Sequence, residues 1–241
     1  MRPGRQCAPL TGRSLACGVF LGVCTLLVCT AAALLLLHLC DWLYRYDLRA
    51  LELAQKTGLD EQVILRNYHA VMRWLWPFSP QQPFSLPDLA FSEQGAIHFA
   101  DCRRLFGLVY VVGALCAAAI ALLLRADRRR PLDRRAFFTA SLTLLLCLAL
   151  VGAAMAADAS AAFVLFHKLL FRNDFWQFDP AKDPVIRLLP EQFFYHCAAV
   201  FLLFWLLGAA LLWAAGKRRL RKDRQRQAGE DSDSVKTPQK H

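Results

Sequence analysis

Several absences narrow the chemistry of this chain. Its nine cysteines include no CxxC pair, and its six histidines form no HExxH or paired-histidine helix motif, so the local signatures of a zinc site are missing. Side chains more polar than Ser or Thr are scarce in the middle of the long apolar runs. A transporter or channel needs ionisable groups at that depth, so both classes are disfavoured. The chain is basic, with net charge +10 and a pI near 9.4, yet no nucleic-acid-binding motif accompanies the basic residues. Nucleic acid is not an expected partner. No residue-level repeat links the two halves.

What is present is apolar sequence. Hydrophobic residues make up 56% of the 241, and mean hydropathy is +0.31. Four runs, at about 15–40, 105–124, 136–157 and 193–215, reach the ~20 residues needed to cross a hydrocarbon core of ~30 Å. The expected fold is all-α: a four-helix transmembrane bundle with an extracytoplasmic amphipathic helix and irregular outer insertions. Residues 1–224 are read as one integral membrane domain and 225–241 as a disordered cytoplasmic tail. The first run is too long for a typical signal-peptide core and reads as an uncleaved anchor.

Lys and Arg in the connectors set the expected orientation. Arg2, Arg5 and Arg13 precede the first span without an acid, "RADRRRPLDRR" joins the second and third, and "KRRLRKDRQRQ" follows the fourth. The two long connectors, Asp41–Arg104 and Asp158–Gln192, hold slightly more acids than bases. The positive-inside rule then places both termini in the cytoplasm and both long connectors outside. Cys17, Cys24, Cys29, Cys116 and Cys147 fall inside spans, where Cys behaves as a small apolar residue. Cys40, Cys102 and Cys197 sit near the outer interface, but their spacing does not demand a disulfide.

In the first outer connector, "TGLDEQVILRNYHAVMRWLW" has apolar residues at helical spacing behind a Thr57/Asp60 capping arrangement. It reads as an amphipathic helix at the membrane surface, closed by Trp74 and Trp76. Pro77, Pro80, Pro83 and Pro87 exclude helix from the next segment. Ser92 can cap a helix that continues into the second span and carries His98 and Asp101 on one face. In the second connector, the helix of span three is expected to extend past Asp158 and carry His167 just above the interface. "RNDFWQFDPAKDP" ends it, and Pro190 with Glu191 suits the start of the fourth span.

His98 and His167 stand out because each lies beside a span, on the same side of the membrane, near carboxylates. Ionisable groups there usually face a wet cavity or an interior. A purely structural hydrogen-bond network is the competing reading, and His98, His167 and His196 with an Asp form a secondary zinc alternative. His38 and His69 read as ordinary interfacial residues, and His196 fits either role. No metal or cofactor is assigned.

The segments "FSEQGAIHFADCRRLF" and "FHKLLFRNDFWQFDPAKDPVIRLLPEQFF" add what spacing cannot. Glu93, His98 and Asp101 in the first, with His167, Asn173, Asp174, Trp176, Asp179, Pro180, Asp183, Pro190 and Glu191 in the second, resemble a family of small bacterial four-span membrane proteins. That family includes the lipoprotein intramolecular transacylase. Cys102-Arg103 departs from the family's usual Val-Lys. The resemblance implies an acyl shift from a glyceryl ester to the α-amino group of the N-terminal diacylglyceryl-cysteine, giving a lyso-form lipoprotein. It implies a diacylated lipoprotein and membrane lipid as partners, and His98 and His167 as the catalytic residues.

Those residue types suit the step. An α-amine with pKa of about 7.7–8.0 is partly neutral at pH 7, and a histidine near 6.5 can take its proton while another protonates the departing oxygen. Asp101 is a candidate to orient His98. Glu93, Asp174 and Asp179 are further supporting carboxylates, and Asn173, Arg172 and Trp176 are candidate donors to a developing oxyanion. The alternative from another class is a non-enzymatic membrane adaptor or sensor that binds a partner through the outer insertions.

Overall fold

The computed structural model describes residues 12–80, 82–127 and 132–236, and among these only helices and irregular segments occur. Four helices are long and apolar enough to span a membrane, as expected: within α1 (Gly12–Leu39), α5 (Glu93–Asp127), α6 (Arg134–Ala157) and α8 (Glu191–Lys236). α1 packs against α5, α6 and α8, and α6 also packs on α8. Small residues allow the close approach. A Cβ on Gly22 would stand 2.8 Å from Thr143 Cβ on α6, and Gly113 of α5 sits against Ala31 of α1. Gly152 near the end of α6 faces open space, with no neighbour within 4 Å of where a Cβ would stand.

The two long insertions hold more regular structure than the sequence suggested. After α1 the chain forms α2 (Trp42–Ala50) and α3 (Leu53–Thr57) before α4 (Glu61–Leu75), the amphipathic helix. Asp60 caps α4, accepting from the Gln62 N–H, whereas Thr57 closes α3 by donating to the Leu53 carbonyl. The Thr57 capping expectation is thereby corrected: Gly58, at φ +69°, separates the two helices. α2 and α4 bury Leu43, Tyr44, Leu48, Ile64 and Tyr68 against Leu188 and Phe193 at the start of α8. The Tyr44 hydroxyl donates to the Leu188 carbonyl, and the Tyr44 and Tyr68 rings stack at 3.7 Å. A second cluster joins Val71 and Leu75 of α4 to Phe84, Phe99 and Val185.

Two helix boundaries differ from expectation. The helix of span three does not run through Asp158. It stops at Ala157, and Asp158, in extended conformation, accepts from the Ala161 N–H and starts α7 (Ala159–Leu170). A short Asp side chain competes for backbone N–H groups in this way. At the other end, α8 continues through Lys236, past the boundary placed at 224. The stretch after Ala215 is rich in Lys, Arg and Gln, all good helix formers, and contains no proline before Pro238. Residues 237–241 of the expected tail lie outside the described residues.

Candidate active site

The first turn of α5 is fixed from across the molecule. Ser92 Oγ accepts from the Gly95 N–H, as its capping role requires, at 2.9 Å. Both Ser92 N–H and Ser92 Oγ–H donate to Asp183, at 2.7 Å each. Asp183 is 3% exposed and comes from the segment between α7 and α8, just before a 3-10 turn at Pro184–Arg187. A carboxylate suits the free N–H groups at a helix start. Gly95 is required by proximity: a Cβ there would collide with Asp183 Oδ1 and stand 3.0 Å from Phe178 Cε1. The two long insertions are therefore locked together one turn before His98.

His98 and His167 meet in the space so framed. Their ring centroids are 6.1 Å apart and their planes differ by 35°. Both are buried, at 6% and 8% exposure. Aromatic side chains of the second insertion enclose them: Phe171 lies 4.8 Å from His98, Phe178 lies 5.4 Å from it, and Trp176 stacks on His167 at 4.8 Å. The opposite face of α7 shows Leu165, Phe166, Leu169 and Leu170, all exposed. This helix thus turns a histidine inward and an apolar surface outward, the habit of a helix lying in a membrane interface.

Hydrogen bonds assign the ring nitrogens. His167 Nδ1 lies 2.8 Å from the Phe163 carbonyl, which can only accept, so Nδ1 carries hydrogen and Nε2 keeps the lone pair. Burial holds the His167 pKa below its ordinary 6.5, and the Phe163 carbonyl opposes that shift only in part. His98 Nε2 lies 3.4 Å from Cys102 Sγ, while its Nδ1 is buried without a partner. Trp176 Nε1 is likewise buried without a partner. A buried polar group left unpaired costs about 1–3 kcal/mol, and two of the four such atoms among the described residues, His98 Nδ1 and Trp176 Nε1, belong to this cluster.

The comparisons with known proteins bear on this arrangement. The sequence matches the family described as "Lipoprotein intramolecular transacylase Lit" over residues 19–194. The chain belongs to this family. A transacylase of the family from Bacillus cereus, solved in meso, aligns with TM-score 0.79 and 28% identity, covering 88% of this chain and 98% of that one. Two structures of the same Bacillus cereus protein, carrying a histidine-to-arginine or a histidine-to-alanine substitution, align with TM-score 0.75 at 28% identity. They cover 88% of this chain and 94% and 96% of theirs. No curated protein sequence matches. The chain is accordingly an acyltransferase integral to the membrane, acting on lipoproteins.

The other expected site residues lie further out. Asp101 does not bond His98; it accepts from Asn173 Nδ2 and from Arg104, both at 3.1 Å. The i+3 spacing brings it to the right side of α5, but its carboxylate turns toward the second insertion. Asn173 is engaged at both ends of its amide, its Oδ1 accepting from the Phe175 N–H. Glu93, Arg172, Asp174 and Asp179 are exposed, and Asp179 shapes the turn by accepting from the Ala181 N–H. His196 pairs with buried Asp47 at 2.7 Å, His69 with Asp41 at 2.8 Å, and His38 faces Tyr110, so none joins the central pair. Among the described residues no group of three His, Cys, Asp or Glu is placed to hold a metal ion. Cys40, Cys102 and Cys197 are free thiols. Ser92, Gly95 and Asp183 were not singled out as site residues in the sequence. The one local signal is that a serine three residues before a glycine can cap, and its partner lies 91 positions away.

Proposed function

We propose that His98 and His167 together catalyse the acyl shift, with His167 as the base and His98 as the proton donor to the leaving group. The observation that carries this reading is the pair itself: two buried imidazoles from separate insertions, their ring centroids 6.1 Å apart. His167 Nε2 takes a proton from the substrate's α-amino nitrogen as that nitrogen attacks the ester carbonyl. With the Cys102 thiol donating to His98 Nε2, His98 Nδ1 carries the hydrogen; the C–O bond to glycerol then breaks, and the departing oxygen receives that proton, which is refilled by the proton held on His167. One ester becomes one amide and one alcohol, and no net proton is consumed.

Trp176 Nε1 is the donor best placed for the oxyanion, because Asn173 is engaged and Arg172 points outward. Amine and ester belong to one substrate, so holding them at reacting distance supplies much of the acceleration. The exposed apolar face of α7 supports lipid approach at headgroup depth. The arginine-rich connectors support an orientation with both termini in the cytoplasm and the histidine pair on the outer face of a bacterial cell membrane. The expected substrate is a diacylated lipoprotein, and the product its lyso form.

Co-expression with a diacylated lipoprotein, followed by mass spectrometry of its N-terminal peptide, tests the activity. The expected product carries one ester-linked and one amide-linked chain. A lipoprotein that keeps its free amino terminus beside folded protein would contradict the reading, and would favour an adaptor that only binds partners.

A further inference from the structure

We propose that a groove at the end of the bundle opposite the histidine pair holds one anionic phospholipid, its phosphate on Arg218 and Lys222. The groove, of about 290 Å³, is lined by Leu124 and Asp127 of α5, Phe137 of α6, and Leu211, Ala215, Arg218 and Lys222 of α8. Asp127 lies 29 residues beyond His98 on one helix, about 43 Å at 1.5 Å per residue, more than the ~30 Å of hydrocarbon. The groove therefore opens at the other membrane surface.

Its polarity is graded along α8. Leu211, Ala215, Arg218 and Lys222 recur at three- and four-residue spacing and share one face, running from apolar to cationic. Leu211 and Leu124 are 73% and 46% exposed, which places the apolar end among lipid tails. The carboxylates nearby are already matched. Asp127 forms an ion pair with Arg219 and accepts from the Leu132 N–H, and Asp223 pairs with Arg134. Arg219 also lies over the Phe137 ring at 5.7 Å, which closes the floor. Arg218 and Lys222 have no carboxylate partner among the described residues, so two cations one turn apart remain above an apolar slot. A phosphate esterified to acyl chains satisfies both ends; a zwitterionic headgroup would set its own cation against Arg218. The volume suits a headgroup and the first part of a chain, the rest lying along exposed Leu211.

The test uses the full chain purified in detergent and titrated with phosphatidylglycerol or phosphatidylcholine of identical chains, with bound lipid read by native mass spectrometry. Arg218→Gln/Lys222→Gln is expected to weaken phosphatidylglycerol binding roughly thirtyfold, about fivefold per cation. The charge-matched control Arg221→Gln/Arg224→Gln, outside the groove, is expected to bind like the parent. Ala215→Leu, which fills the slot without changing charge, is expected to weaken binding as well. The proposal is overturned if the control loses as much as the groove variant, if phosphatidylcholine binds equally well, or if chain-free glycerol phosphate competes as strongly as the intact lipid.

Discussion

Gly95→Ala perturbs the lock between the two long insertions without touching either histidine. An added Cβ collides with Asp183 Oδ1 and stands 3.0 Å from both Asp183 Cγ and Phe178 Cε1. Asp183 is buried and held by Ser92, so it cannot swing aside into solvent without losing those bonds. Overpacking costs about 1–3 kcal/mol. Displacing a carboxylate from its N–H and O–H donors adds about 1.5–3 kcal/mol. The better helix propensity of alanine returns up to about 1 kcal/mol. The net expectation is a destabilisation of roughly 1.5–6 kcal/mol, read as a lower unfolding midpoint in detergent. Because Phe178 also contacts His98, the ring pair should shift too, and a displacement of about 1 Å costs on the order of 10²-fold in rate. Product yield in the lipoprotein assay, normalised to folded protein, measures that part. A Gly95→Ala protein as stable and as active as the parent would show that the insertions are not held by this contact.

Other expectations concern the rings themselves. Trp176→Phe keeps an aromatic plane beside His167 but removes Nε1, so turnover should fall about 10²–10³-fold while the fold survives; near-normal turnover would reassign the oxyanion donor. The depressed pKa of His167 also sets a pH dependence of stability. The unfolded chain takes up this proton first, so the contribution is whole above about pH 6.5 and is lost as pH falls below it. The unfolding midpoint of the parent should therefore drop more steeply from pH 7 to pH 5 than that of His167→Gln, and equal slopes would contradict the burial argument.

The membrane architecture was legible because its signal is composition: four apolar runs and a skewed arginine distribution leave few alternatives. The Ser92 cap and the proline-excluded segment were legible for the same reason, since each depends on neighbours in sequence. What escaped was long-range. Asp183 gives no local sign that it will meet Ser92, and nothing around Asp101 says that Asn173, 72 positions later, will draw its carboxylate from His98. The break at Asp158 was hidden by apolar residues that continue a helical pattern on both sides. Both histidines were visible as candidates, but only the fold shows that Phe163 fixes the tautomer of one and that Trp176 covers it with an unused N–H.

Everything proposed for the mechanism depends on two imidazoles serving one acyl shift. The most direct measurement compares His98→Ala, His167→Ala and the double variant for amide-linked product on a co-expressed lipoprotein, each normalised to folded protein. Groups acting in one step are strongly non-additive, so each single change should cost about 10²–10⁴-fold and the double change little more. A folded single variant that still converts its lipoprotein at close to the parental rate would contradict the account.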